Sequence, residues 1–453
     1  MLNATLRADG SSKFAAGNRW GYFPSVSGGW VMTNEEFLKS SENWMDFLKL
    51  RASWGQVGNQ DIDAFQYASP INTSTGYSSS INNSAAFYNF GTAGTNVAGA
   101  YASRLSNPKV KWETSEQTNI GVDARFLKSR LGVNADFYVK TTKDWLVQAP
   151  ILATAGAGGP FINGGDVKNT GIELALNWND RIGKFNYNFG VNGAYNKNEV
   201  GNIPTVDGII HGLPNMLFDN SEEFYRAQNG HSIGYFWGYK TAGIFQNAQE
   251  IADWKAAGNG ILQADVKPGD VKYVDLNKDG KIDADDKTDL GNGMPSFTFG
   301  LNFGFDYRGF DFAVNGNGVM GNKIVQSYRN QTNKQANYTT AILGRWTGEG
   351  TSNSMPRVTE TNINWQFSDL YLQDGDFLRI SNITVGYDFA KVMKFKFISQ
   401  CRLYGSVQNA FTFTKYNGMD TEIGYGTDKW VSGIDLGYYP RPQTFLVGVN
   451  LKF

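Results

Sequence analysis

Asp275, Asn277, Asp279, Lys281, Asp283 and Asp286 occupy positions 1, 3, 5, 7, 9 and 12 of the stretch Asp275-Leu276-Asn277-Lys278-Asp279-Gly280-Lys281-Ile282-Asp283-Ala284-Asp285-Asp286. Side-chain oxygens at positions 1, 3, 5, 9 and 12, with a glycine at 6 for the sharp turn, follow the template of a calcium-binding loop. Lys281 contributes only its backbone carbonyl at position 7, and Asp286 is shorter than the usual glutamate, which weakens bidentate ligation. Four carboxylates crowded into one turn repel one another unless a cation neutralises them. A structural Ca²⁺ is therefore expected, with an acidic surface turn as the alternative. The flanking Val271 to Val274 alternates like a strand, so the loop is not half of an EF-hand pair.

Other chemistry is sparse. The chain has two histidines, His211 and His231, neither beside a nucleophile motif, and one cysteine, Cys401. That leaves no disulfide framework, no thiolate metal site and little material for a charge-relay enzyme, so the chain is read as not an enzyme. Forty-one basic against 42 acidic residues give a net charge of −1. Nucleic acid is excluded as a partner, because a phosphate binder shows a basic excess. Aromatic residues are the remaining resource. Tyr235, Trp237, Trp365, Tyr416 and Trp430 fall in long connections and are the substrate-binding candidates, since flat apolar faces suit sugar rings. Tyr77, Phe87, Tyr88, Phe236, Tyr239, Tyr425, Tyr438 and Tyr439 share those connections. Packing of the loops against each other is the competing reading for any one of them. Trp20, Trp30, Trp112, Trp145 and Trp178 lie near strand ends and suit an interfacial girdle.

The elements that must position these residues alternate with period 2, the signature of strands with two different faces. Phe297, Phe299, Leu301, Phe303, Phe305 and Tyr307 share one face, and Thr298, Gly300, Asn302, Gly304 and Asp306 the other. The pattern predicts strands at 1–8, 20–31, 46–57, 113–126, 130–143, 168–180, 184–197, 295–306, 309–319, 376–389, 400–412 and 443–453. Strands of about 10–13 residues exceed the 5–6 usual in soluble sandwiches and match a bilayer crossing. Short turns near 127–130, 180–183 and 307–309 alternate with long segments at 58–111, 144–167, 198–294, 320–375 and 413–442, as in transmembrane barrels. The 32–45 connection, with helical character, is the exception, and Tyr235 to Phe245 is strand-like inside a large outer loop. With 53 glycines in 453 residues, against a usual ~7 %, the fold class is all-β, an antiparallel transmembrane β-barrel. Alternatives are a complete twelve-stranded pore or secretion barrel and a soluble adhesin, the latter disfavoured because no repeat period exists. No secretory signal peptide is legible after Met1, and the alternation starts at once.

Several separated stretches resemble, in order, the TonB-dependent transporters of the SusC/RagA type. They include Arg7-Ala8-Asp9-Gly10-Ser11-Ser12-Lys13-Phe14, Ser53-Trp54-Gly55-Gln56-Val57-Gly58-Asn59-Gln60 and Gly269-Asp270-Val271-Lys272-Tyr273. Farther on come Phe377-Leu378-Arg379-Ile380-Ser381-Asn382, Ser406-Val407-Gln408-Asn409-Ala410-Phe411, Tyr416-Asn417-Gly418-Met419-Asp420 and Tyr439-Pro440-Arg441-Pro442-Gln443-Thr444-Phe445. The resemblance implies a multi-pass barrel of about 22 strands with an internal plug in the outer membrane of a gram-negative bacterium. It implies uptake of an oligosaccharide or peptide, with a SusD-like surface lipoprotein and the TonB complex as partners, and lipid and lipopolysaccharide around the barrel. On that basis residues 1–453 are expected to be the C-terminal barrel portion, with the plug, the TonB-contact segment and about ten strands lying elsewhere. Residues 198–294 form a large extracellular loop that carries the 275–286 stretch.

Overall fold

A computed structural model describes residues 1–73, 87–89, 96–149, 151, 153–217, 221–327, 339–359, 362–393, 397–423 and 430–453. Twelve long strands form one sheet. They are β1 (Leu2–Gly10), β2 (Trp20–Val31), β3 (Met45–Asn59), β4 (Glu113–Phe126), β5 (Leu131–Lys143) and β6 (Asp166–Ile182). Then come β7 (Phe185–Gly201), β8 (Phe297–Tyr307), β9 (Phe310–Met320), β10 (Phe377–Asp388), β11 (Gln400–Thr414) and β12 (Thr444–Lys452). Each pairs antiparallel with its neighbours in chain order, a pure meander. The twelve anticipated strands are all present, with ends displaced by a few residues. The sheet is open, since β1 and β12 are its two edges and do not pair with each other. A complete twelve-stranded barrel would need that closure. No helix among the described residues is long and apolar enough to cross a membrane.

Register turns the alternation into rows. Phe189, Phe303, Val314, Ile383, Val407 and Phe445 sit opposite one another across six strands. One residue away run Asn302, Asn315, Asn382 and Gln408. The first row faces lipid and the second the lumen, because hydrocarbon cannot satisfy amide side chains. Away from the strand ends, charge sits on the polar side. Arg51 of β3 reaches over β4 to Asp136 of β5 (2.5 Å) and also holds Asp123 (3.1 Å). It passes above Gly121, where a Cβ would lie 2.5 Å from the guanidinium carbon. Arg402 of β11 crosses Gly386 in the same way to Asp311 of β9 (2.5 Å). Glycine on the lumen face thus makes room for ion pairs that span three strands.

The two ends of the sheet differ. At one end the turns are tight: Leu127-Lys128-Ser129, with φ of +57°, +59° and +59°, Gly183 at +62°, and Arg308-Gly309 at +51° and +94°. The 32–44 connection holds two short 3-10 segments, Met32–Asn34 and Glu36–Ser41. At the other end the connections 202–296, 321–376 and 415–443 fold into a cap with its own cores. Four strands of the cap, Ile209–His211, Tyr225–Gln228, Tyr235–Tyr239 and Lys287–Asn292, make a small sheet. Thr241–Ile244 pairs with Val271–Tyr273. A nine-residue helix, α1 (Ala248–Ala256), starts where the Asn247 side chain accepts from the Glu250 N–H.

Two girdle expectations require correction. Trp112 is buried against Phe14 and Phe23 and donates Nε1–H to the Arg19 carbonyl. Trp145 meets Trp430 at 6.1 Å beside a core of valines and isoleucines. Both pack loops, because the strands here continue past the apolar band and their ends lie among protein. Trp178, Trp30 and Trp20 keep strand positions, the last two exposed.

Candidate functional site

The cap is where chemistry-bearing residues gather. Its main core packs Phe224, Tyr225, Phe236, Phe367, Val325, Val431 and Ile434, drawn from all three connections. Phe224 lies 4.8 Å from Phe367, and Tyr225 5.3 Å from Trp430, ring centre to ring centre. The connections are also tied by polar contacts. Asp270, fully buried, accepts from Arg357 Nε (2.7 Å) and from Asn364 Nδ2 (2.8 Å). Thr241 Oγ1 donates to Asp369 (2.6 Å), and Tyr239 N–H to the Phe367 carbonyl.

The five aromatic candidates divide by exposure. Tyr235 is buried, stacks on His231 at 4.6 Å and donates its hydroxyl to Gln228 Oε1 (2.5 Å). Burial pushes that hydroxyl up to about 12. Tyr416 is buried and donates to Asp435 Oδ2 (2.5 Å). Trp237 is half-buried with the Arg226 guanidinium 4.2 Å from its ring centre. Trp365 lies 6.3 Å from Tyr371, and Trp430 bridges Trp145 and Tyr225. Phe236 and Tyr239 are buried too, whereas Tyr439 is exposed. Tyr77 and Tyr425 lie outside the described residues, as do the side chains of Phe87 and Tyr88.

The 275–286 loop turns on Lys278 at φ +61° and Gly280 at +84°. Asp275 accepts from the N–H groups of Lys278 (2.6 Å) and Gly280 (2.8 Å), and Asn277 from Asp279 N–H (3.0 Å). Asp279 accepts from Lys281 N–H and Asp283 from Asp285 N–H, each at 2.9 Å. Asp286 is buried and accepts from Leu276 and Asp283 N–H. Backbone donors therefore neutralise much of the carboxylate crowding. Among the described residues no group of three or more His, Cys, Asp or Glu is placed to hold a metal ion.

His211 lies between Glu223 (2.9 Å) and Asp207 (3.2 Å), and His231 beside Asp289 (3.0 Å). Cys401 is half-buried in β11.

One further cluster joins residues that no spacing in the sequence links. Arg379 of β10, 5 % exposed at its side chain, holds Asp420 (2.6 Å) and Glu422, and Glu422 also pairs with Arg441 (2.9 Å). The 415–443 connection is thereby latched to the lumen wall. Arg379 and Asp420 each lie in a family-like stretch, but only the fold brings them together.

A meander of long strands with an apolar outer face, a charged inner face, tight turns at one end and an interlocked cap at the other is an outer-membrane β-barrel wall. Residues 1–254 match the family model described as TonB dependent receptor-like, beta-barrel, and the chain belongs to that family. It is 31 % identical over 466 residues to the TonB-dependent receptor SusC of Bacteroides thetaiotaomicron, with 100 % of this chain and 42 % of that protein covered. TonB-dependent receptor P39 of Formosa agariphila is 31 % identical over 492 residues, covering 100 % of this chain and 45 % of its own length. Among solved structures, that of the RagAB peptide transporter superposes with a TM-score of 0.77 at 23 % identity, over 100 % of this chain and 46 % of its own. The chain thus spans less than half the length of the relatives it matches.

Proposed function

We propose that the protein containing this chain imports an oligosaccharide or peptide across the outer membrane, energised by TonB and assisted by a SusD-like surface lipoprotein. One observation carries this reading: three outer connections interlock into a single cap on the rim of a sheet whose lumen face is polar and charged. The structural neighbour described as the RagAB peptide transporter supports the peptide class, and the oligosaccharide class rests on the resemblance of the sequence stretches. Half-buried Trp237, Trp365 and Trp430 would offer their faces to a ligand, while Tyr235 and Tyr416 hold the cap in shape. No catalytic step is assigned. The test is uptake of labelled oligosaccharides and peptides by cells lacking the gene, then complemented with the whole gene. Uptake restored only while the proton gradient is intact is expected. Restoration that persists after the gradient is collapsed would indicate a passive pore instead.

Within the cap we propose a structural Ca²⁺ held by Asp275, Asn277, Asp279, Asp283 and Asp286 with the Lys281 carbonyl. Ligand spacing and the turn at Gly280 support it. The backbone hydrogen bonds to the same carboxylates weigh against any need for it. Calorimetry on the whole protein separates the two, because Asp279→Ala must abolish a calcium heat. If no such heat exists, the loop is an acidic turn held by its own amides.

A further inference from the structure

The tight-turn end of the wall carries a row of cations. Lys128 lies in the β4–β5 turn, Lys184 in the β6–β7 turn, Arg308 in the β8–β9 turn and Lys391 in the β10–β11 connection, and all four are exposed. None has an ion-pair partner among the described residues. Acids at the same end are engaged by protein donors, Asp388 while buried and Asp46 and Asp306 at the surface. Asp46 accepts from Ser129 N–H (2.7 Å), Asp180 pairs with Arg130 (3.3 Å), Asp306 accepts from Asn186 (2.9 Å), and Asp388 from Ala390 and Cys401 N–H. The exposed charge of these four connections is therefore positive, although the whole chain is nearly neutral. Only the 32–44 connection, with Glu35, Glu36 and Glu42, departs from this.

Geometry places two basic side chains of this end, Arg308 of the belt and the neighbouring Arg130, beside lipid-facing rings. Arg308 lies 5.3 Å from the centre of the Tyr307 ring, and Arg130 6.0 Å from Trp178. Tyr307 ends the lipid-facing side of β8, paired with Phe185 and Phe310, and Trp178 lies on the lipid-facing side of β6 opposite Phe189 and four residues before that strand ends at Ile182. An aromatic belt beneath basic heads is the arrangement of a headgroup boundary. Turn chemistry does not call for it: a two-residue hairpin turn with both φ positive favours Asn or Gly at its first position. Arg308 holds φ +51° there and Lys128 +59° in its own turn, conformations that cost a long side chain energy.

We infer that this belt binds the anionic phosphate headgroups of glycerophospholipids in the periplasmic leaflet, which the short turns of such barrels face. The occupant follows from charge complementarity and from continuity with the lipid-facing rows. The whole protein, purified from membranes, is exchanged into equimolar phosphatidylcholine and phosphatidylglycerol, and native mass spectrometry counts the retained lipid. Wild type should retain phosphatidylglycerol in preference. That preference should fall by about fivefold per residue on Lys128→Gln, Lys184→Gln, Arg308→Gln and Lys391→Gln. Swapping Lys for Arg and Arg for Lys at the four sites should preserve it, which separates charge from any disturbance of the turns. Equal retention of both lipids by wild type overturns the inference, whether or not an acidic protein co-purifies. So does a preference that survives the four glutamines, or one lost in the charge-preserving set.

Discussion

Phe303 in the wall and Phe224 in the cap are the same side chain in opposite solvents. Phe303 is 36 % exposed and turned to lipid, whereas Phe224 is fully buried among Tyr225, Phe236 and Phe367. Lipid accepts an apolar side chain without any shaped partner, so the wall needs only alternation and register. Water does not, so the cap must pack its phenyl rings against specific neighbours from distant segments. The wall's polar chemistry is correspondingly repetitive, with ion pairs over glycine seats, while the cap's is built from single contacts such as Asp270 with Arg357 and Asn364. Wall and cap meet at Arg379.

Removing Arg379 should give the largest effect. Arg379→Ala leaves Asp420 with backbone donors alone and Glu422 with Arg441, and losing one partner of a buried ion pair costs up to about 3–5 kcal/mol. The neighbourhood of Asp420 keeps its acid ionised. Burial opposes this, but the Arg441 and Glu422 N–H groups and Arg379 outweigh it and hold the pKa below 3.8. The latch is thus at full strength above that value and weakens as pH falls through the lowered one. Hydrogen exchange over 415–423 and 430–443 should accelerate in the variant with the wall strands unchanged. Equal protection in both proteins would show that the apolar core alone holds the loop.

On the wall, Phe303→Arg should cost about 2–4 kcal/mol, the penalty for a charge near the bilayer midplane, while Asn302→Arg should be nearly neutral. Denaturant unfolding in vesicles measures both. Spin labels at 301 and 302 must differ in lipid accessibility, and equal accessibility would refute the face assignment.

The twelve wall strands were legible because lipid forces every second residue to be apolar, and that pattern is local. Their ends were less so. β6 and β7 run 17 residues each, past the apolar band and into the cap, where alternation no longer distinguishes lipid from lumen. Trp112 and Trp145 illustrate the loss, since a tryptophan at a strand end reads alike whether it meets headgroups or a neighbouring loop. The cap's aromatics could be counted but not sorted. That Tyr235 and Tyr416 are buried with engaged hydroxyls depends on Gln228 and Asp435, partners no periodicity links to them. Arg379 and Asp420 are 41 residues apart, and only the return of the chain along β11 makes them a pair.

A smaller effect is expected inside the cap. Tyr235→Phe removes one hydroxyl and leaves Gln228 Oε1 without that donor, a loss of about 0.5–1.5 kcal/mol. Thermal unfolding of the cap, followed by tryptophan fluorescence, should shift slightly downward, and ligand uptake should persist. Abolished uptake would make Tyr235 a ligand contact rather than a packing residue.

The smallest effect is a pH dependence confined to the cap's first hairpin. Burial disfavours the charged His211 ring, but its hydrogen bond and attraction to Glu223, with Asp207 on the other nitrogen, outweigh this and raise its pKa above 6.5. A group whose folded pKa is raised contributes fully below its unfolded value and loses that contribution as pH rises through the folded one. The pairing of Ile209–His211 with Tyr225–Gln228 should therefore be firmest below about pH 6.5 and loosen as pH rises through the raised folded value. The ring is substantially exposed, so solvent screens the pair and only local opening is expected. Amide exchange of Ile209, Ile210 and Arg226, corrected for its intrinsic pH dependence, should show this loosening. It should vanish in His211→Gln, while the wall amides stay indifferent to pH over the same range. A profile unchanged by that substitution would assign the titration to another group.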